Sequence, residues 1–355
     1  MQANLVTLLG LDTVREKTLY QARWLHDHGF EVHILTLHRD AGSIRDDPAA
    51  SIEPIVGGPI ARIRQIVRHL RSARGPLHHV ELYVGGRFAF VYALICRLAR
   101  VRLVAVERGD LLQCQRRAYP LSARLSTYAC YRLAHRVWLR EPYMLPAFAR
   151  WRVRRTFFLP NAVPMPEGGE DGGERSVDFL WANRLVPERH PDWFAAALVR
   201  IAERRSVSAE LLGFSATARP TSDLEGRVRA AVESLPGVHC EPFGDPHPAY
   251  RRARFFVLPA DVVFANFALL ESMANGAVPI VSDVEGAERI VSPGENGLLV
   301  RHDPAALERA MDEALDLSGP EWKRLSDAAR ATIAERFSID RWGRDLLRHY
   351  EEAVA

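Results

Sequence analysis

Residues 255–300 carry the clearest structural pattern in the sequence: FFVLPADVVFANFALLESMANGAVPIVSDVEGAERIVSPGENGLLV. The stretch opens with four apolar residues, 255–258, closed by Pro259, which is typical of a buried strand. Two further apolar runs, 278–281 and 298–300, predict buried strands as well. Strands separated by helical segments build parallel sheets with right-handed crossovers. The stretch therefore predicts one part of a doubly wound α/β domain.

The segments between these strands carry helix signals. Residues 267–274 have apolar side chains at helical spacing, and Gly276 follows where a helix end favours a left-handed residue. A second helix is predicted to begin near Glu285, with Ser282 or Asp283 as its cap.

One carboxylate, that of Glu271, is predicted to lie in the first turn of the 267–274 helix. Ligands of parallel α/β sheets bind at the carboxyl ends of the strands, and this helix begins there. A carboxylate can accept two hydrogen bonds from a vicinal diol such as that of ribose. Glu271 is therefore a candidate ribose ligand.

From Glu271 onward, the stretch resembles the donor site of the retaining GT-B glycosyltransferases of family 4, the glycosyl transferases group 1. That family carries a Glu, seven residues, a second Glu, a small-residue helix, a Pro-containing strand and an Asn-Gly turn. Here LLESMANGAVPIVSDVEGAERIVSPGENGLLV matches from the second Glu onward. Val263 stands where the first Glu belongs, and Asp261, two residues away, is an acidic residue that could substitute. The resemblance implies two Rossmann-like doubly wound domains that face each other across a cleft.

Length and composition limit the class of protein. With 355 residues, 48% of them hydrophobic, two domains are expected rather than one. The sequence has no run of eighteen apolar residues and no signal-peptide pattern, so we expect a cytoplasmic protein without a membrane-spanning helix. The four cysteines show neither metal-ligand spacing nor a disulfide framework, and we expect reduced thiols.

The net charge of +3 is unevenly distributed along the chain. Residues 60–155 hold 20 Arg against 4 acidic residues, whereas residues 156–355 hold 22 basic and 32 acidic ones. A basic amphipathic helix is predicted at 59–75. Its charged side is either an ordinary solvated face or a surface for anionic lipid headgroups. Because many members of the family act on lipid-linked acceptors, the resemblance favours peripheral membrane binding through Arg62, Arg64, Arg68, Arg71 and Arg74.

The first half of the chain holds three candidate site residues. A strand at 3–9 is followed by Gly10, and by resemblance this glycine opens a loop whose backbone amides approach a diphosphate. The alternative is a simple strand-to-helix turn. A buried strand at 103–106 ends in the charged sequence ERGD, where family members often place a His next to the transferred sugar. Glu107 and Asp110 are therefore candidates to contact the sugar or the acceptor. The alternative is an ion pair that only shapes the loop.

The second half holds the candidate cations. A strand at 177–181 runs into ANRLVPERHP, which resembles the family's Gly-Arg-Leu loop with a Lys five residues after the Arg. Arg184 and Arg189 keep that spacing, with Arg in place of Lys. A departing nucleoside diphosphate gains negative charge, and guanidinium groups stabilise it through paired hydrogen bonds. Two unrelated surface arginines are the alternative. The resemblance adds donor contacts from Gly213 and from the backbone amides of Phe267, Ala268 and Leu269.

The absence of an Asp-x-Asp pair favours a reaction without a metal ion, and the only small molecule expected is the nucleoside-diphosphate sugar. The predicted organisation is an acceptor-side domain at 1–165, a donor-binding domain at 166–336 and a helix at 337–355 that crosses back to the first domain. The predicted function is transfer of a sugar to an acceptor hydroxyl of a glycan or lipid-linked acceptor, with retained anomeric configuration. The alternative is a catalytically inactive glycosyltransferase-like partner or scaffold. Nucleic-acid binding is disfavoured because the Arg-rich half lacks interleaved aromatic residues for stacking.

Overall fold

The computed structural model describes residues 4–352 except 12–13, 15, 38–46, 73–77, 84, 108–113, 115–116, 141–143, 151–152, 154, 167–174, 217–219, 243 and 265. The chain divides into two compact units, Met1–Pro160 with Ile339–Ala355, and Asn161–Ser338. These divisions fall a few residues from those predicted at 165/166 and 336/337. Val163 explains the shift, because its amide donates to the Phe337 carbonyl at 3.0 Å and it pairs with Ser338.

The first unit is built on a seven-stranded sheet in which all neighbouring strands are parallel. Its strands are β1 Asn4–Leu11, β2 Phe30–Thr36, β3 Ser51–Pro54, β4 His78–Leu82, β5 Arg102–Glu107, β6 Arg136–Leu139 and β7 Thr156–Phe158. Their order in the sheet is β3-β2-β1-β4-β5-β6-β7. The helices between them are α1 Glu16–Asp27, α2 Pro59–Ser72, α3 Ala89–Leu98, α4 Leu121–Leu133 and α5 Met144–Arg150.

Gly10 lies inside β1, so the prediction that it opens a loop after the strand was wrong. The pairing of β1 with β2 shifts register between Leu9 and Leu11, and Gly10 has a φ of 90°. A residue with a Cβ is strained in this left-handed region, so glycine allows the bulge and the strand continues beyond it.

The second unit is built on a six-stranded parallel sheet. Its strands are β8 Val177–Ala182, β9 Ala209–Phe214, β10 Val238–Pro242, β11 Ala253–Leu258, β12 Val278–Ser282 and β13 Leu298–Val300, in the order β10-β9-β8-β11-β12-β13. The helices are α6 Pro191–Ala202, α7 Asp223–Val232, α8 His247–Arg252, α9 Phe267–Ala274, α10 Pro304–Leu315 and α11 Gly319–Arg336. Two Rossmann-like parallel α/β units confirm the predicted fold class.

The stretch 255–300 folds largely as predicted, since β11, α9, β12 and β13 all form and Gly276 has a φ of 81°. The helix expected near Glu285 was wrong, because only a 3₁₀ turn forms at Ala287–Arg289. Gly286, with a φ of 87°, precedes this turn without a side-chain cap. The Asn296 side chain then binds the Ile290 carbonyl at 3.0 Å and the Ser292 amide at 2.7 Å. These side-chain bonds replace helical ones.

Buried aromatic side chains hold the second unit together. Phe179 of β8 and Phe255 of β11 contact each other with ring centroids 5.6 Å apart, and Trp181 and Phe194 are fully buried beside them. Each such side chain stabilises the fold by about 1.5–3 kcal/mol through burial. The sheet edge that carries the loops is thereby anchored to a rigid core.

The last helix, α12 Ile339–Glu352, packs on the first unit. The Tyr350 hydroxyl donates to the buried carboxylate of Glu81, and the Tyr350 ring stacks on His79 at 4.3 Å. At the other end of the helix, the Trp24 indole donates to Asp340 at 3.0 Å. Gly343 lies so close to Trp24 that an added Cβ would come within 2.3 Å of the indole ring.

The four cysteines are free thiols, as predicted, and Cys96, Cys114 and Cys130 are buried. None of the helices in the described part of the chain combines the length and the apolarity needed to cross a membrane.

Candidate active site

The loop after β8 places Arg184 and Arg189 close together. Arg184 is exposed, whereas Arg189 is half-buried and donates to the Val262 carbonyl at 2.5 Å. Burial lowers the pKa of Arg189 and the nearby charge of Arg184 lowers it further, while Asp261 and Glu188 oppose that shift. Within the described ranges neither guanidinium forms an ion pair. Two like charges held together at a sheet edge form a favourable place for an anion.

Gly213 controls the path of this loop. It lies inside β9, one residue before the strand ends. Its φ is 126°, and an added Cβ would lie 2.1 Å from the carbonyl oxygen of Asn183. The Asn183 backbone, which leads into Arg184, can pass this point only because residue 213 has no side chain. Direct contact of Gly213 with a donor stays a prediction.

The N-terminus of α9 lies beside the same loop. Asn266 caps the helix, because its Oδ1 accepts from the Leu269 amide at 3.2 Å. Its Nδ2 donates to Oδ1 of Asn183 at 3.4 Å, which links the helix start to the strand end. The Leu269 amide donates to this cap, and its contact with a donor stays a prediction. The amides of Phe267 and Ala268 precede it in the first turn and stay predicted contacts.

Glu271 lies in the second turn of α9, so its placement in the first turn was wrong. The side chain is only 2% exposed, and one of its oxygens accepts from the Tyr250 hydroxyl at 3.2 Å. Tyr250 belongs to α8, so two helices determine the position of this carboxylate. Ribose binding by Glu271 stays a prediction.

A cluster that the sequence reasoning missed lies at the same sheet edge. Oδ1 of Asp261 accepts from Nε2 of His190 at 2.6 Å and from Nε2 of His302 at 3.1 Å. These ligand atoms lie within 4.8 Å of one another, so among the described residues this group has the composition and spacing to hold a metal ion. The three residues are far apart in sequence, and the signal that could have found them is their shared position after β8, β11 and β13.

Glu107 ends β5 of the first unit with no exposed surface. It accepts a hydrogen bond from the Tyr131 hydroxyl, and the Tyr131 ring packs against Phe148 at 5.1 Å. Contact of Glu107 with a sugar or acceptor stays a prediction, and this burial favours the alternative in which the carboxylate shapes its surroundings. Asp110 lies outside the described residues.

Comparison with known proteins agrees with this architecture. The family model of Glycosyl transferases group 1 matches residues 176–316, which lie in the second unit. A search of curated protein sequences finds no significant match.

Solved structures resemble the whole chain. A glycosyltransferase from Rickettsia africae superposes with a TM-score of 0.75 at 13% identity, over 99% of each chain. Anabaena Alr3699/HepE in complex with UDP-glucose gives 0.75 at 14% identity, over 99% of this chain and 100% of that one. Sucrose-phosphate synthase from Thermosynechococcus elongatus gives 0.72 at 18% identity, over 98% of each. The fold is the two-domain GT-B fold, and with the domain match it defines the class of this protein, a glycosyltransferase.

Proposed function

We propose that this glycosyltransferase moves a sugar from a nucleoside-diphosphate sugar to an acceptor hydroxyl, with retained anomeric configuration and without a metal ion. The observation that carries the proposal is the neighbouring pair Arg184 and Arg189 at the carboxyl edge of the second sheet. The hydrogen bond between the side chains of Asn183 and Asn266 holds the N-terminus of α9 beside the same edge. Two guanidinium groups and a helix N-terminus together suit a diphosphate.

In the proposed reaction, the bond between the anomeric carbon and the diphosphate oxygen breaks, and the acceptor oxygen bonds to the same face of that carbon. Negative charge grows on the departing diphosphate, and Arg184 and Arg189 stabilise it. The departing phosphate takes the proton of the acceptor hydroxyl, so no protein base is needed. The burial of Glu107 agrees with a scheme in which that carboxylate does not move protons.

The nucleotide and the ribose contact are parts of the same proposal. Anabaena Alr3699/HepE was solved with UDP and with UDP-glucose, so these two molecules are the first donors to test. Glu271 is proposed to accept hydrogen bonds from the ribose diol, with Tyr250 holding the carboxylate in place. Gly10 and Gly213 are proposed to let backbone approach the donor, as their left-handed φ values of 90° and 126° allow.

A thermal-shift panel of nucleoside diphosphates and their sugars identifies the donor, because a ligand that prefers the folded state raises the melting temperature. Transfer with that donor is then measured for the wild type, Arg184→Ala, Arg189→Ala and Glu271→Ala. Arg227→Ala, which removes an exposed arginine from α7, is the matched control and should leave transfer unchanged. Unchanged transfer in all three site variants refutes these roles. Binding without turnover favours the inactive scaffold instead.

Two measurements test the finer statements. The anomeric configuration of the product, read by NMR, must equal that of the donor if the reaction is retaining. Transfer must persist in excess EDTA if no metal ion takes part in the chemistry.

We further propose that the first unit binds an anionic membrane surface and takes a lipid-linked acceptor there. Exposed apolar side chains collect on two neighbouring helices of that unit, namely Phe90, Leu94 and Leu98 on α3 and Leu121 and Leu125 on α4. The Ser126 hydroxyl joins the helices, since it accepts from the Phe90 amide at 3.0 Å and donates to the Arg87 carbonyl at 2.9 Å.

The arginines of α2 add charge to this unit. Arg64, Arg68 and Arg71 are exposed and Arg62 is half-buried, whereas Arg74 lies outside the described residues. Ile66 and Leu70 on the other side of α2 are buried, as the amphipathic pattern predicted. Apolar side chains beside a basic helix suit a bilayer interface, to which each arginine adds about 1 kcal/mol.

Vesicle sedimentation tests this surface. The wild type should bind vesicles rich in phosphatidylglycerol and ignore pure phosphatidylcholine vesicles. The double variant Leu98→Ser with Leu125→Ser, and the double variant Arg64→Ser with Arg68→Ser, should each weaken binding by about tenfold or more. Arg227→Ser in the second unit is the control. Equal binding of all variants contradicts the proposal.

A further inference from the structure

The place of the family's first acidic residue is occupied by an aliphatic side chain that cannot replace it. Val263 has no exposed surface and offers no hydrogen-bond acceptor. If the chain transfers a sugar, another group at this edge must accept hydrogen bonds from the sugar hydroxyls, since a sugar that loses water there needs polar partners.

Asp261 is a carboxylate held in one orientation. Both contacts with His190 and His302 reach the same oxygen, Oδ1, while 48% of the side chain stays exposed. The remaining surface of the carboxylate can accept hydrogen bonds from a ligand. Hydrogen bonds from the two histidines lower the pKa of Asp261, with His190 the larger cause, so the group is ionised at neutral pH.

The two histidines are themselves fixed. The His190 ring stacks on Trp193 with centroids 3.8 Å apart, and its backbone has a φ of 42°. A left-handed conformation at a residue other than glycine is strained and marks positions that the surrounding structure holds in place. His302 bonds Ser282 through Nδ1 at 2.9 Å, so its other nitrogen points at Asp261.

The carboxylate also lies beside the proposed diphosphate site. The Asp261 amide donates to the Glu188 carbonyl at 3.1 Å, and Arg189 donates to the Val262 carbonyl. The two loops are therefore joined on both sides of Asp261. The carboxylate of Asp261 is near enough to Arg189 for its charge to raise the pKa of that guanidinium.

We propose that Asp261 binds hydroxyl groups of the transferred sugar, and that His190 and His302 are positioning residues that orient it. This inference rests on the proposed function and deepens it, because it names the group that recognises the sugar part of the donor. The nucleotide part is bound elsewhere, so the two parts of the donor can be separated by experiment.

Calorimetry with UDP and with UDP-glucose, or with the pair that ranks first in the thermal-shift panel, tests the inference. Asp261→Asn should weaken binding of the sugar nucleotide about tenfold or more and leave binding of the nucleoside diphosphate within about twofold. His302→Gln should act in the same direction by a smaller factor. Asp283→Asn removes an exposed carboxylate after the neighbouring strand β12 and should leave both affinities unchanged.

Three outcomes overturn the inference on its own. If Asp261→Asn weakens both ligands equally, the residue does not recognise the sugar. If it weakens neither, it has no part in donor binding. If calorimetry with zinc chloride alone shows one ion bound per chain and Asp261→Asn abolishes it, the cluster is a metal site. Should the wild type bind no nucleoside diphosphate in the panel, the proposed function fails first and this inference with it.

Discussion

The two sheets use their acidic side chains in opposite ways. In the first unit, Glu81 and Glu107 on β4 and β5 are fully buried, and tyrosine hydroxyls donate to both. In the second unit, Asp261 follows β11 and stays half-exposed beside Arg189. Both units have parallel sheets, so the architecture alone does not decide where a ligand binds. The two sheets differ in the exposure of the charged groups at their strand ends, and we propose that a ligand binds where these groups are exposed.

A buried carboxylate forms hydrogen bonds within the protein and stabilises the fold, whereas an exposed one can bind a ligand. Glu81 accepts from Gln21 at 2.8 Å and 2.9 Å, from Tyr83 at 2.6 Å and from Tyr350. Burial raises its pKa, and these hydrogen bonds oppose the rise. No acceptor capacity is left for a substrate. The comparison therefore predicts that substitutions at the second edge change activity, whereas substitutions in the first sheet change stability.

The largest effect is expected at the cations. Arg189→Ala should lower kcat/KM by about 10²–10³, the usual loss when one preorganised donor to a developing charge is removed. Glu107→Gln should leave kcat/KM within about threefold and lower the melting temperature, because its partner Tyr131 is buried. Steady-state transfer assays and thermal unfolding of both variants measure kcat/KM and the melting temperature. Loss of activity in Glu107→Gln at unchanged stability would show that this buried carboxylate of the first sheet takes part in the reaction.

The second largest effect is expected on stability, at Gly213, which contacts the backbone of the loop that carries Arg184. Gly213→Ala adds a Cβ 2.1 Å from the Asn183 carbonyl oxygen at a φ of 126°. Because both backbones must shift, urea unfolding should show a loss of about 1–3 kcal/mol or more. Gly319→Ala is the control, since a Cβ there meets nothing within 4 Å. Equal stability of the two variants would show that the Asn183 loop is not held by Gly213.

The second unit also contains a buried carboxylate, that of Glu225, whose contribution to stability depends on pH. Glu225 accepts from Ser215 at 2.6 Å and 2.9 Å and from Thr221 at 2.7 Å and 2.8 Å. Burial raises its pKa, but the hydrogen bonds from Ser215 and Thr221 outweigh burial and lower the pKa from 4.5 to about 2. A lowered folded-state pKa stabilises the protein above the unfolded value, and that stability is lost as pH falls.

Glu225→Gln should therefore cost about 1.5–3 kcal/mol at pH 7. The difference from the wild type should shrink as pH falls from 4.5 towards 2, where the wild-type carboxylate also becomes protonated. Urea unfolding across that pH range measures it. A difference that stays constant with pH would mean that the charge of Glu225 contributes nothing.

The smallest effect is expected when the buried carboxylate of Glu81 in the first unit loses one of its hydrogen-bond donors. Tyr350→Phe removes one donor to Glu81 while Gln21 and Tyr83 remain, so the loss should be about 1 kcal/mol. Tyr92→Phe removes a hydroxyl from a buried tyrosine of α3 that does not bind Glu81, and it should cost less. A larger stability loss in Tyr92→Phe than in Tyr350→Phe would contradict the proposal that the bond from Tyr350 of α12 to Glu81 stabilises the first unit.

The sequence predicted those parts of the fold that depend on local patterns. Apolar runs and helix-ending glycines indicated β11, α9, β12 and β13, because burial and backbone conformation act over a few residues. The helix predicted near Glu285 does not form, because the side chain of Asn296, which lies outside the predicted segment, bonds the Ser292 amide and the Ile290 carbonyl instead. The prediction that Gly10 opens a loop was wrong because a β-bulge can be recognised only when the pairing with the partner strand β2 is known.

The candidate site was predictable only where one loop carries it. Arg184 and Arg189 share a loop, so their spacing could be read directly. The cluster of His190, Asp261 and His302 could not, since three strand ends must meet before the side chains touch. The burial of Glu271 was missed for a similar reason, because it depends on Tyr250 from another helix.

The chain leaves the first unit after Pro160 and re-enters it at Ile339. On a ribosome, the N-terminal sheet is therefore made long before the helix that supplies Tyr350, and domains generally fold as they emerge. Until residues 339–350 have been made, Glu81 lacks one of its donors and Trp24 lacks the neighbour that Gly343 provides. The first unit can thus complete its packing only after the whole second unit has been made, and a chain stopped just before Ile339 would keep a finished second unit attached to an unfinished first one.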